Sequence, residues 1–143
     1  MDVMAGKKDL RAVCSLYGLQ ALYAFGSRAR EAAAFCRDGK AMEADNPADL
    51  DAGVIEESER MLSARERVGL SLALENLFQV ARVDLVVLNE APAFLALDII
   101  DGELLYVRDR DYVARYELHV LRRAGDLAPF ERMRRRLLLQ GSA

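Results

Sequence analysis

Gly26-Ser27-Arg28-Ala29-Arg30, read together with Asp49-Leu50-Asp51 downstream, is the part of the sequence that decides the fold. The first stretch follows the apolar run Leu22 to Phe25 and opens the alanine-rich segment Ala29 to Cys36. A strand from Leu19 to Phe25 should therefore stop at the glycine and pass into a short helix. A helix beginning just after Ser27 would aim the free N–H groups of its first turn back toward Gly26 and Ser27, where a phosphate could be held. Alone the pair is weak evidence, because most Gly-Ser pairs are plain turns.

Asp49 to Ile55 reads as a second strand, with Asp49, Asp51, Gly53 and Ile55 on one face and Leu50, Ala52 and Val54 on the other. Two acids on one face repel. Either they are solvated at a strand end, or a cation sits between them, and oxygen ligands at this spacing suit Mg²⁺. Val83 to Leu88 is the most strand-like run, apolar on both faces except at Asp84. A carboxylate there is unfavourable unless it lies at an edge, is hydrogen-bonded or meets a cation. Asp84 is thus either an edge residue or a third ligand beside Asp49 and Asp51.

The remaining elements are set by period and punctuation. Apolar residues at Leu10, Val13, Leu16 and Tyr17 give a helix with Asp9 as cap and Gly18 as stop. Residues 37–48 have no clean period and read as a long exposed loop. Ser63 and Glu66 form a capping box for a helix over 64–80. Pro92 suits the first turn of a helix from Ala93 to Leu97. Asp101-Gly102 reads as a hairpin turn between Ile99-Ile100 and Glu103–Val107. Asp109 or Asp111 caps a helix to about Arg123, Gly125 ends it, and Asp126 with Pro129 starts a last one.

Composition sets the bounds. With 143 residues, 52% hydrophobic and 30% charged, the expectation is a single globular domain over 1–143. Cys14 and Cys36 match no zinc spacing and suggest reduced thiols, hence a cytoplasmic protein. No apolar run approaches the roughly 18 residues of a membrane span, and no signal peptide is visible. The net charge of −3 hides a bipolar distribution: residues 31–66 hold ten acids and four bases, residues 106–143 nine arginines and five acids. Without interleaved aromatics the basic end reads as a solvated or partner-facing helix surface and not as a nucleic-acid site. His119, the one histidine, has no nucleophile beside it and reads as surface or packing.

In chain order the pattern is strand, Gly-Ser, helix, a strand with Asp-x-Asp, helix, and a strand with one more acid. Gly26-Ser27-Arg28-Ala29-Arg30 with Asp49-Leu50-Asp51 resembles the Gly-Ser-x-Ala-Arg and Asp-x-Asp signature of the minimal nucleotidyltransferases of the DNA-polymerase-beta-like superfamily. Within it, the chain is most similar to the MNT-domain antitoxins of HEPN/MNT toxin–antitoxin systems. The resemblance extends over nearly the whole chain, including Asp84, the Ile99 to Tyr106 hairpin and the Asp111-Tyr112-Val113-Ala114-Arg115-Tyr116 helix. It implies an α+β nucleotidyltransferase fold, a small mixed β-sheet flanked by helices with a C-terminal helical segment.

The resemblance further implies an Mg²⁺-dependent protein adenylyltransferase. Its co-substrate would be ATP, its acceptor a tyrosine of a cognate HEPN ribonuclease toxin, and its outcome a silenced toxin in a heteromeric complex, without nucleic acid or membrane. Gly26 and Ser27 would hold the β- and γ-phosphates. Arg28 and Arg30 would line the nucleotide site, or the second of them would brace it by pairing with an acid. Asp49, Asp51 and Asp84 would be catalytic carboxylates and ligands to two Mg²⁺ ions, Asp84 serving as ligand or as general base. Two other readings stand beside it: a non-catalytic antitoxin that neutralises by binding alone, and a nucleotidyltransferase with a small-molecule acceptor.

Three departures from the family pattern stand out. Glu31 follows the motif where glycine is usual. Asp-x-Asp comes about ten residues late, so that Phe35 to Asn46 is an insertion. Ala48 precedes the first aspartate where serine or threonine is usual.

Overall fold

Leu19–Phe25 forms β1, buried along almost all its length, and the other elements assemble on it. In the computed structural model, which describes the backbone of residues 3–141 and the side chains of residues 8–125, α1 (Val3–Leu16) precedes β1. A 3-10 turn (Gly26–Arg28) and α2 (Ala29–Asp38) follow, then β2 (Leu50–Glu56), α3 (Ala64–Phe78) and β3 (Val83–Val87). A second 3-10 turn (Leu88–Glu90), α4 (Ala93–Ile100), β4 (Glu103–Val107) and α5 (Arg110–Gly141) complete the order. The strands form one sheet in the order β3-β2-β1-β4. β1 pairs antiparallel with β2 and β4, whereas β2 and β3, joined through α3, run parallel. This is the small mixed sheet flanked by helices that the sequence implies.

Both sheet faces are covered, which is why β1 is apolar except at Gln20. On one face Leu22, Ala24, Leu50, Ala52 and Val54 pack with Leu10 of α1, Phe35 of α2 and Leu70, Leu74 and Phe78 of α3. On the other, Ala21, Tyr23 and Ile55 meet Ile99 of α4 and Val113 of α5. Each leucine-sized side chain removed from water on this scale contributes about 2 kcal/mol. The capping box of α3 is formed: Glu66 N–H donates to Ser63 Oγ at 3.1 Å, and Ser63 N–H to Glu66 Oε1 at 3.1 Å. Tyr23 joins the sheet to α5 by donating its hydroxyl to Glu117 Oε1 at 2.5 Å. Burial and that carboxylate push the Tyr23 hydroxyl pKa well above its usual value.

Three sequence expectations are corrected. Helix α1 begins at Val3, so Asp9 lies within it and caps nothing. The strand pair around Asp101-Gly102 does not exist: Ile99 and Ile100 end α4, and β4 pairs with β1. Two adjacent isoleucines favour a strand locally, yet Ala93, Ala96 and Ile99 form one buried helical stripe, and that packing overrides propensity. Gly53 of β2 provides the room, since a Cβ there would collide with Ile99 Cγ2. Finally, one helix, α5, replaces two, running from Arg110 through Gly125 and Pro129 to Gly141. Asp109 caps it, its Oδ1 accepting from Asp111 N at 3.0 Å and Tyr112 N at 3.2 Å. An interior glycine costs only about 1 kcal/mol of helix propensity, and the strong helix formers on either side outweigh it.

Cys14 and Cys36 are buried without forming a disulfide. Burial pushes the Cys14 thiol up to about 12, keeping it protonated. Among the described residues no helix is long and apolar enough to cross a membrane.

Candidate nucleotidyl-transfer site

The antiparallel pairing of β1 with β2 sets Phe25 opposite Asp51, and the parallel pairing of β2 with β3 sets Asp51 opposite Asp84. One row across three strands therefore runs Phe25, Asp51, Asp84, with Gly26 following Phe25 and the two acids on adjacent strands. Asp49 stands just ahead of β2, which begins at Leu50 and not at Asp49 as the sequence suggests, and its charge reaches Asp51. Leu50 N–H donates to Arg82 C=O at 3.0 Å, which holds this end of the parallel register. Arg82 also approaches Asp49, Nε to Oδ2 at 3.8 Å, in a largely solvated pair worth little by itself.

Gly26 has φ +74, the left-handed region, and a Cβ built on it would lie 2.5 Å from Asp51 Oδ2. Both backbone conformation and space thus require glycine. Gly26 and Ser27 are exposed, in the 3-10 turn that runs directly into α2. That is the arrangement in which first-turn N–H groups face an anion.

The acids sense one another. The Asp51 carboxyl pKa is raised, first by burial, then by the charges of Asp84 and Asp49. Yet among the described residues no three acidic, histidine or cysteine side chains close into a ready-made metal cluster. The two observations describe different things: the register brings the acids within electrostatic reach, while Asp49 leans toward Arg82 and Asp84 is exposed. The donor set, three carboxylates, is hard oxygen throughout and fits Mg²⁺. β3 is an edge strand, so Asp84 lies at an edge, and it is level with Asp51.

Arg28 departs from the nucleotide-lining expectation. It is 2% exposed, and its guanidinium is turned into the protein. It pairs with Glu31 (Nη2 to Oε2, 3.2 Å) and donates to Ala48 C=O at 3.2 Å and Glu43 C=O at 2.8 Å. Pairing with an acid, expected of the second arginine, is found at the first, which is buried against the 39–49 segment. Arg30 is exposed and, with Lys40, lines a cavity of about 540 Å³ between α2 and that segment. Sequence reasoning missed Arg82, Asn46 and the partnership of Glu31 with Arg28. The last had a signal, since residues three apart on a helix are neighbours. His119 is exposed, its ring edge-on to Tyr116 with centroids 6.3 Å apart.

Comparison with known proteins places the chain. No curated protein sequence matches it. Among solved structures, it is similar to a chain of an MntA–HpeT toxin–antitoxin crystal structure carrying two aspartate-to-glutamate substitutions, with 18% identity, a TM-score of 0.63 and coverage of 96% of this chain and 98% of that one. A toxin–antitoxin structure with AMP-PNP gives 19% identity, a TM-score of 0.62 and the same coverage. A structure of a tri-AMPylated Shewanella oneidensis HEPN toxin in complex with an MNT antitoxin gives 19% identity and a TM-score of 0.60, covering 99% and 100%. At such identities the likeness is one of fold. The family model described as "Polymerase beta, Nucleotidyltransferase" matches residues 8–111, from α1 through the glycine turn, all three aspartates and β4. The chain belongs to the polymerase-beta nucleotidyltransferase family.

Proposed function

We propose that this protein transfers AMP from ATP to a tyrosine hydroxyl of a HEPN-domain ribonuclease toxin, the hydroxyl oxygen displacing pyrophosphate from the α-phosphorus, in the cytoplasm, and so neutralises it as the antitoxin of the pair. The observation that carries the reading is the alignment of Asp51 with Asp84 across adjacent strands, beside a glycine turn that opens a helix. The fold likeness extends over 96–99% of the chain to structures that include one holding AMP-PNP and one containing an AMPylated HEPN toxin.

Gly26 and Ser27 receive the polyphosphate, the glycine because it alone leaves space beside Asp51. Asp49, Asp51 and Asp84 would hold Mg²⁺, which when bound neutralises phosphate charge and lowers the pKa of an incoming hydroxyl. Asp84, the most open of the three, is placed to take the hydroxyl proton directly if its carboxylate is not committed to the metal. Charge fixed in place before the reaction is usually the largest catalytic contribution. Here the sheet register would contribute to it by holding the backbone of Asp51 level with Asp84.

Intact-mass measurement of the toxin after incubation with this protein, ATP and Mg²⁺ tests the reading. Mass increments of AMP, absent with Asp51→Ala, are expected. A toxin that is bound and inhibited but gains no mass would replace enzymatic silencing with neutralisation by binding alone.

A further inference from the structure

The segment between α2 and β2 is far longer than such a connection needs, and a loop of this length without secondary structure is ordinarily free to move. Here its backbone is held by side chains. Glu43 is gripped at both polar groups: its N–H donates to Glu31 Oε2 at 2.9 Å, and its C=O accepts from Arg28 Nη2 at 2.8 Å. Ala48, the last residue before Asp49, is gripped likewise. Its N–H donates to Asn46 Oδ1 at 3.0 Å, and its C=O accepts from Arg28 Nη1 at 3.2 Å. Asn46 Nδ2 reaches Glu31 Oε1 at 3.4 Å and closes the network. Met42, buried, pins the middle of the segment to the core.

We infer that Glu31, with Asn46, is a positioning residue that fixes the backbone delivering Asp49 to the carboxylate row. Arg28 is the hub, two residues beyond Gly26 and so part of the glycine turn itself. Its guanidinium ties that turn to the residue preceding Asp49, which joins the phosphate side of the site to the carboxylate side. A buried guanidinium does this only if its charge is paired, and Glu31 is the pairing acid. Two oddities of the sequence, an acid at position 31 and a long insertion, are thereby one feature. Asn46 takes up the free N–H of Ala48, a residue with no hydroxyl of its own.

The role rests on the nucleotidyl-transfer reading, and the test separates the two. Amide hydrogen exchange on the full chain without metal or nucleotide reads the clasp, Mn²⁺ affinity reads the carboxylates, and AMP transfer to the partner reads their use. Glu31→Ala and Asn46→Ala are expected to lose protection at Glu43 and Ala48 while β1 amides keep theirs. Mn²⁺ affinity should fall about tenfold and kcat by a similar factor, with KM for ATP little changed. Asn46→Ser, whose uncharged hydroxyl oxygen can still accept from Ala48 N–H two residues on, should recover part of both. Asn46→Ala keeps the test decisive if Glu31→Ala does not fold. Wild-type protein that binds Mn²⁺ and transfers AMP, matched in both by folded Asn46→Ala with an unprotected Ala48, overturns the positioning role alone. Wild-type protein that does neither overturns the transfer reading and this role with it.

Discussion

Gly26 and Asp51 are packed so closely that a single methyl on the glycine would stand 2.5 Å from the carboxylate oxygen. The glycine turn and the acidic strand are therefore one piece of geometry, held by the Phe25–Asp51 pairing.

Gly26→Ala meets two penalties. The left-handed backbone costs a Cβ-bearing residue about 1–2 kcal/mol, and Asp51 must rotate away. Thermal melting should show the first as a modest loss, and AMP transfer should fall by about a hundredfold, well beyond what lost folding explains. Wild-type turnover in a folded Gly26→Ala protein would refute the coupling.

Asp51→Asn should stabilise the protein while abolishing transfer. The Asp51 pKa is raised in the fold by burial and by Asp84 and Asp49. The folded state thus binds the proton more tightly, and stability is lost as pH rises from the usual 3.8 through the raised value. At neutral pH the whole penalty is present, and the amide removes it. A rise in melting temperature of ~3 °C is expected without divalent metal, shrinking when Mg²⁺ stabilises the wild type.

Glu31 has the opposite sign. Arg28, the Glu43 N–H and Asn46 hold its carboxyl below the usual 4.5. Its contribution is complete above that value and is lost as pH falls through the depressed one. Wild-type melting temperature should therefore drop on acidification below about pH 4.5 more steeply than that of Glu31→Gln. Parallel curves would show that the pair with Arg28 adds nothing to stability.

Gly53→Ala is expected to destabilise by about 1–3 kcal/mol through overpacking, because the new methyl would enter the space of Ile99 and approach Leu88. Chemical denaturation should show it, and Gly53→Ala with Ile99→Val should recover part of the loss. An unchanged midpoint would mean that α4 shifts freely over the sheet.

Much of this was legible in one dimension. Strand β1 and the capping box of α3 were readable because period, cap and breaker agreed there. The carboxylates were noticeable because acids are depleted in strands. The single helix from Arg110 to Gly141 was not, since Gly125 and Pro129 punctuate locally and their effect depends on the sum over a long helix. Nor was the end of α4, where Ile99-Ile100 favours a strand until Gly53 offers the groove that a helix fills.

By itself the sequence determined which residue types the candidate site contains and in what order: a glycine turn, an Asp-x-Asp pair and a later lone acid. It also determined the alternation within β2 that sets Asp51 and Gly53 on one face and Leu50 and Ala52 on the other, because that follows from strand geometry alone. Only the tertiary structure decided that Asp84 lies level with Asp51, since register between strands distant in sequence depends on how α3 and both cores pack. It also decided that Arg28 faces inward to a loop and not outward to a ligand. Burial and partners, which no local spacing encodes, determine where a charged side chain points.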